Sequence, residues 1–322
     1  MIRMTGATGF IGPHILRRFQ EAGESISAVT RAEADIRDAD ALRRAFAGAD
    51  CVVHNAALAR DWGAWECFRQ NNVEGARNVA AACVAAGVRH LIVTSSCSVY
   101  GEEDCATAKN EQSPMRSRRP YFLGGIFPSA MNFYRDSKRL AKEAALGFSE
   151  RLRICFIEPV WVYGEGERHT GFLEYLQAAK SGAPFLPGAR RNKFHCVYAG
   201  DVAEAYLLAR RKNAEGSFLI GPEKADLMSD VFAEFCRAAG LRKPRDLPKS
   251  AAMPVGFALE ALWALCHAKN PPPLTRARAA MFYDSIEYDC SKARRELGFE
   301  CKTSLAEGAA RAVAWYKKEG LL

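Results

Sequence analysis

Apolar residues in the first half of the chain recur in short runs separated by amphipathic stretches, the pattern of strands alternating with helices. A strand at 2–4 leads into a glycine-rich turn and a helix over 13–22. A strand at 25–30, a helix over 38–47 and a buried strand at 50–54 follow. An Ala-rich helix is predicted at 73–86, then a strand at 90–95, a helix at 133–149 and a strand at 153–157. Repeated β-α units of this length imply a parallel sheet covered on both faces. The link from Arg31 to Asp38 is too short for a full crossover, so one strand is expected to be lost or vestigial. Beyond Pro159 the alternation breaks down. Helices are expected at 169–181 and 201–211, a returning strand at 217–220, a long apolar-rich stretch at 251–268 and an amphipathic helix at 305–319. Pro271-Pro272-Pro273 cannot continue a helix. The expected architecture is α/β: a doubly wound parallel sheet formed by 1–163 and 194–221, with a smaller interleaved C-terminal lobe from 164–193 and 222–322.

At 322 residues the chain can bury a sizeable core, and its 49% hydrophobic and 25% charged composition is ordinary for a globular enzyme. No segment carries the roughly 18 uninterrupted apolar residues of a membrane-spanning helix. The N-terminal strand leaves no room for a signal peptide, so a cytoplasmic location is expected. The eleven cysteines, Cys105 among them, show no CxxC pair and read as buried free thiols, with no metal site. The net charge of +8 is dispersed, and Arg190-Arg191-Asn192-Lys193 is too short to line a groove, so no nucleic-acid partner is expected.

The turn Thr5-Gly6-Ala7-Thr8-Gly9-Phe10-Ile11-Gly12 places three glycines between the first strand and the first helix. There the backbone can approach a pyrophosphate, and the helix N-terminus offers free N–H groups and a positive dipole end. The second strand should end beside the adenosine ribose, where an acid favours NAD and a base pairs with the 2′-phosphate of NADP. Thr30-Arg31 stands at that point, so the reading favours NADP over NAD; the plainer reading has Arg31 facing solvent. Asp35 is a candidate acceptor for the adenine amino group.

Tyr134-Arg135-Asp136-Ser137-Lys138 sets a phenol and an ammonium on one helix face. A free tyrosine titrates near ~10, too high for efficient proton transfer at neutral pH, and a nearby cation favours the phenolate. The hydroxyls of Thr94-Ser95-Ser96-Cys97-Ser98 follow a buried strand, at the sheet end where parallel sheets bind ligands. One of them can hold a substrate oxygen.

Taken in order, the glycine turn, Asp35-Ile36-Arg37-Asp38, His54-Asn55-Ala56-Ala57, Asn72-Val73-Glu74-Gly75, the serine turn, Tyr134 with Lys138, and Pro159-Val160-Trp161-Val162-Tyr163-Gly164 resemble the extended short-chain dehydrogenase/reductases over nearly the whole chain. The resemblance implies a Rossmann-type fold and a nicotinamide cofactor contacted by Thr5, Gly6, Thr8, Gly9, Phe10, Ile11, Gly12, Arg31, Asp35, Ile36, Ala56, Ala57, Tyr134, Lys138 and Pro159. It further implies Tyr134 as acid/base, Lys138 as its electrostatic partner, Ser96 as the substrate-oxygen ligand and Asn72 in support. Two positions depart from the family: Glu158 replaces an arginine before Pro159, and Ala199-Gly200 replaces Val-Asp before Asp201.

Asp61-Trp62-Gly63, Pro272-Pro273-Leu274-Thr275-Arg276 and residues 293–299 resemble the 3β-hydroxysteroid and sterol dehydrogenase branch, which also holds β-keto-acid reductases. The expected activity is hydride transfer between a nicotinamide and a secondary alcohol or ketone on a largely apolar small molecule. The rivals are a nucleotide-sugar epimerase, dehydratase or reductase, with Arg190, Arg191 and Lys193 clamping a diphosphate, and a non-catalytic dinucleotide sensor. Residues 121–128 read as a flexible apolar flap or a loop packed on the second lobe. Residues 254–267 read as lobe core or dimer face ahead of a membrane contact. A homodimer is the expected assembly.

Overall fold

The computed structural model describes residues 1–103, 106–169, 171–188, 190–268 and 270–322. Cys105, and Thr170 of the expected helix at 169–181, lie outside the described residues. In chain order the first half comprises β1 (Ile2–Thr5), α1 (Gly12–Glu21), β2 (Ile26–Val29), α2 (Ala39–Ala45), β3 (Cys51–His54), α3 (Trp65–Phe68), α4 (Gly75–Ala85), β4 (His90–Thr94), α5 (Ala130–Leu146) and β5 (Arg153–Pro159). Then come β6 (Trp161–Tyr163), α6 (Phe172–Lys180), β7 (Phe185–Leu186), β8 (Lys193–Phe194), β9 (Cys196–Tyr198), α7 (Ala199–Arg211) and β10 (Gly216–Ile220). The chain finishes with β11 (Asp226–Leu227), α8 (Met228–Ala239), β12 (Arg245–Asp246), α9 (Lys249–Leu265), α10 (Arg276–Tyr283) and α11 (Leu305–Lys318).

The main sheet has six parallel strands in the order β10-β5-β4-β3-β1-β2. Its strands are apolar on both faces because both faces are covered. Met4, Val53, Ile92 and Ile157 pack under α1 and α7, whereas Val52, Leu91, Val93 and Phe156 pack under α2, α4 and α5. This is a doubly wound α/β sheet. Compared with the common 3-2-1-4-5-6 order, the outermost strand beyond β2 is missing. The short link from Arg31 to Asp38 accounts for the loss: it forms only a turn before Asp38 caps α2, its side chain accepting from the Ala41 amide at 2.9 Å.

The C-terminal lobe has its own aromatic core, in which Phe172 stacks on Phe235 at 4.5 Å between ring centroids. Two of its helices escaped the sequence pattern. In α8 the buried positions Met228, Val231, Phe232, Phe235 and Cys236 have clear helical spacing that could have revealed it. In α10 nearly every residue is buried, so no periodicity marks it.

Three expectations need correction. Of the ten described cysteines, all unpaired, Cys67 and Cys266 are exposed, not buried. Residues 254–267 are not the lobe's core: on α9 only Ala252, Gly256 and Glu260 are buried. The 121–128 segment is no free flap either. Arg276, itself buried, donates to the carbonyls of Phe122 and Phe127 and ion-pairs with buried Glu260 at 2.8 Å, stapling the segment to α9. Phe122 and Phe127 meet Phe257 edge-on at 5.5 and 6.0 Å. The neighbouring α10 residue, Arg278, pairs with Asp61, while Trp62 Nε1 donates to the Ala268 carbonyl at 2.9 Å. One turn of α10 therefore holds both the 121–128 segment and the loop bearing Asp61.

Candidate active site

The glycine turn is shaped by steric exclusion at two of its three glycines. A Cβ on Gly6, whose φ is +71°, would lie 2.4 Å from the Ala56 amide nitrogen, and one on Gly12 would lie 2.4 Å from the Gly6 carbonyl. Gly9 differs: its nearest protein atom would be the Gly6 carbonyl at an ordinary 3.5 Å. Packing forbids side chains at Gly6 and Gly12, while the space over Gly9 is left open. The start of α1 has no side-chain cap and no acid in its first turn, and Pro13 already lacks an N–H. An uncapped positive helix end behind an open glycine backbone fits a dinucleotide pyrophosphate. Asn55, which the sequence reading did not single out, fixes this turn from β3. Its Nδ2 donates to the Gly6 carbonyl at 2.9 Å, and its Oδ1 accepts from the Thr94 hydroxyl at 2.9 Å. Its place just beyond a strand, at the same sheet end as the glycine turn, was the available signal.

Beyond β2, Arg31 is largely exposed and ion-pairs with Asp35 at 3.0 Å. Arg37, also absent from the expected set, binds the same carboxylate at 2.7 Å through Nη2 and at 2.9 Å through Nε. Hydrogen bonds from Arg37, then from Arg31, hold the Asp35 carboxyl well below the usual carboxylate range. Asp35 thus already has two cationic partners at the outer end of the cleft.

At the inner end, the chain leaving β4 turns through Ser96, whose Oγ caps the next turn by accepting from the Ser98 amide at 3.2 Å. The Ser96 hydroxyl faces the Tyr134 phenol. Burial raises the phenol above its ordinary value, and Ser96 opposes that rise. One helical turn along α5, Lys138 is buried and donates to the Thr94 carbonyl at 2.9 Å. Burial depresses its ammonium to about 8. Nearby His54 is kept neutral by burial and by the charge of Lys138, which push it down to about 3. Ser96, Tyr134 and Lys138 are therefore brought together at the C-terminal end of the sheet.

Asn72 lies in a π-helical stretch, Arg69–Glu74, and its side chain both accepts from the Leu58 amide at 2.7 Å and donates to the Ser137 hydroxyl at 2.8 Å. Ser137 in turn donates to the Tyr134 carbonyl at 2.7 Å. Of the expected cofactor residues, Ile36 packs against Gly75 and Pro159 closes β5. Ala56 donates weakly to the Thr5 hydroxyl at 3.4 Å, and Thr8 lies on the exposed face of the turn.

Both departures from the family pattern have structural partners. Glu158 is completely buried and accepts from Lys142 at 2.8 Å and from the Tyr100 hydroxyl at 2.7 Å. Gly200 makes room for Tyr198, whose ring would lie 2.5 Å from a Cβ there.

Residues 2–221 match the NAD dependent epimerase/dehydratase family. The chain belongs to that family. It is 27% identical to a 2-alkyl-3-oxoalkanoate reductase of Stenotrophomonas maltophilia over 97% of its length and 98% of the relative's. It is also 27% identical to 3 beta-hydroxysteroid dehydrogenase type 7 of Homo sapiens, over 97% of its own length and 94% of the relative's. Its fold matches that of MoeE5 in complex with UDP-glucuronic acid and NAD, with a TM-score of 0.74, 24% identity and 99% of each chain covered. The chain is an NAD(P)-dependent oxidoreductase of the extended short-chain type.

The depressed Lys138 carries a stability cost with a definite sign. An unfolded lysine titrates near ~10.4, so below pH 8 the fold holds a charge it disfavours, and stability rises as pH climbs from 8 to 10. Lys138→Met should stabilise the protein at pH 7 by about 1–3 kcal/mol in urea denaturation. The gain should shrink towards pH 10, and a variant less stable than wild type at pH 7 would contradict the assignment.

Proposed function

We propose that this oxidoreductase interconverts a secondary alcohol and a ketone on a largely apolar molecule, using NADP(H), with Tyr134 as proton donor and acceptor. The observation that carries this reading is the meeting of Ser96, Tyr134 and buried Lys138 at the sheet end, beyond the open glycine turn. The pyrophosphate would rest on Gly9 and the start of α1, with Lys138 at the nicotinamide ribose. When bound, the dinucleotide donates or accepts a hydride at the substrate carbon. Ser96 and Tyr134 grip the substrate oxygen from two sides. In the reducing direction Tyr134 gives its proton to that oxygen, and Ser96 stabilises the charge that develops there. The Lys138 ammonium, once turned from the Thr94 carbonyl, offsets the burial that now raises the phenol.

NADP is favoured by the paired cations beyond β2. Arg31 and Arg37 share Asp35, and a 2′-phosphate would replace that carboxylate as their partner. Equilibrium titration should give tighter binding of NADP than of NAD. Arg31→Ala and Arg37→Ala should each weaken NADP by about tenfold or more while leaving NAD nearly unchanged. Equal effects on both cofactors would refute the clamp.

An apolar substrate is supported by the names of the two relatives, a 2-alkyl-3-oxoalkanoate reductase and a 3 beta-hydroxysteroid dehydrogenase. Of the three cations that could clamp a sugar diphosphate, Arg190 pairs with Asp246 at 3.4 Å and Lys193 pairs with Glu287, while Arg191 is exposed. In a panel of 2-alkyl-3-oxoacids, 3-hydroxysteroids and UDP-sugars, turnover is expected with the first two classes. Turnover of UDP-sugars alone would overturn the substrate assignment.

A further inference from the structure

Large apolar side chains remain exposed on α9 and on the turn stapled to it, and the substrate reading does not explain them. On α9, Val255, Leu262 and Leu265 are 49%, 51% and 68% exposed. With Ala258, also exposed, they recur at three- and four-residue spacings along one side of the helix. Across Phe257, the stapled turn adds Phe122, Leu123 and Ile126 at 74%, 43% and 69% exposure. Large apolar side chains scattered singly over a surface need no explanation, but six of them gathered on one helix and the turn fixed to it do. The turn is not loose: buried Arg276 holds two of its carbonyls, so these side chains are presented outward by a fixed backbone.

The charges around this surface are arranged with one sign outward. Among the described residues of 112–135 and 247–283, Arg116, Arg118 and Lys249 are exposed, Arg119, Arg135, Arg276 and Arg278 are held inward in ion pairs, and the single acid is Glu260. Glu260 is buried against Arg276. Arg118 is 70% exposed while its partner Asp136 is 10% exposed, and Lys249 is 45% exposed while its partner Asp284 is 1% exposed. In these two pairs the carboxylate lies inward and the cation faces solvent, whereas Arg119, Arg135 and Arg276 lie inward with their partners.

We infer that this face docks on a lipid bilayer carrying anionic headgroups, with α9 lying along the interface and the Phe122–Ile126 turn entering the acyl boundary. Apolar insertion and electrostatic attraction reinforce one another in such binding. A second copy of the chain fits less well. A two-fold interface sets the same patch against itself and would bring the two basic rims together.

The test is sedimentation of the whole chain, loaded with dinucleotide, with vesicles of phosphatidylcholine alone or mixed with phosphatidylglycerol. Analytical ultracentrifugation without lipid runs in parallel. Wild type is expected on the anionic vesicles, less on the neutral ones, and to be released by high salt. Leu262→Glu/Leu265→Glu should cut partitioning by at least about tenfold, with thermal midpoint and turnover of a water-soluble ketone unchanged. Leu262→Gln/Leu265→Gln should lower it too without adding charge, which keeps the test valid if the glutamate variant folds poorly. The inference fails if wild type stays in the supernatant or if the variants bind as wild type does. It also fails if the chain is a dimer that these substitutions convert to monomers, because the face then belongs to a second copy.

Discussion

Lys138 puts an ammonium where the fold offers it little solvent, against the carbonyl at the end of β4. Nearly every other feature of the site can be traced from that contact. Tyr134, one helical turn earlier on α5, faces Ser96. The Lys138 contact depends on β4 ending at Thr94, whose hydroxyl reaches Asn55, which in turn braces the glycine turn. The Tyr206 hydroxyl lies 2.6 Å from the same Thr94 oxygen and ties the network to α7 on the other face of the sheet. The glycine turn and the helix that bears Tyr134 are far apart in sequence, yet two residues at strand ends join them.

A second buried cation sits one turn farther along α5. Lys142 meets Glu158 and Tyr100 where no solvent reaches. Burial raises the Glu158 carboxyl, and Lys142 and Tyr100 oppose that rise. Such a pair contributes little net stability, but removing either partner would strand a buried charge. Glu158 in place of the family's usual arginine is therefore tolerated because Lys142 lies within reach. The missing edge strand is tolerated in the same local way: β2 becomes the edge, and the Asp35 turn is closed by its own arginines.

The parallel sheet and its missing strand were legible because buried parallel strands read as short apolar runs and because the Arg31–Asp38 link was too short to hide a crossover. Tyr134, Lys138 and the glycine turn were legible because each needs a particular residue at a particular spacing. Ser96 was identified only through the family resemblance; neighbouring serines offer the same hydroxyl, and only the turn after β4 distinguishes them. Arg37 and Asn55 lay within the family motifs without an assigned role, because their roles depend on partners distant in space or hidden in a two-residue turn. The roles of α9 and residues 121–128 were the least legible. Apolar spacing alone cannot tell a core helix from an exposed one, and the staple that settles it comes from Arg276, about 150 residues beyond the turn it holds.

The central claim is that Tyr134 moves the proton while the glycine turn and Lys138 hold the dinucleotide. Single-turnover reduction of a ketone by enzyme preloaded with reduced dinucleotide, compared between wild type and Tyr134→Phe, tests it most directly. The account predicts that the variant binds dinucleotide with nearly wild-type affinity but reduces the ketone about 10²–10⁴ times more slowly. A variant that turns over within a few-fold of wild type would contradict it.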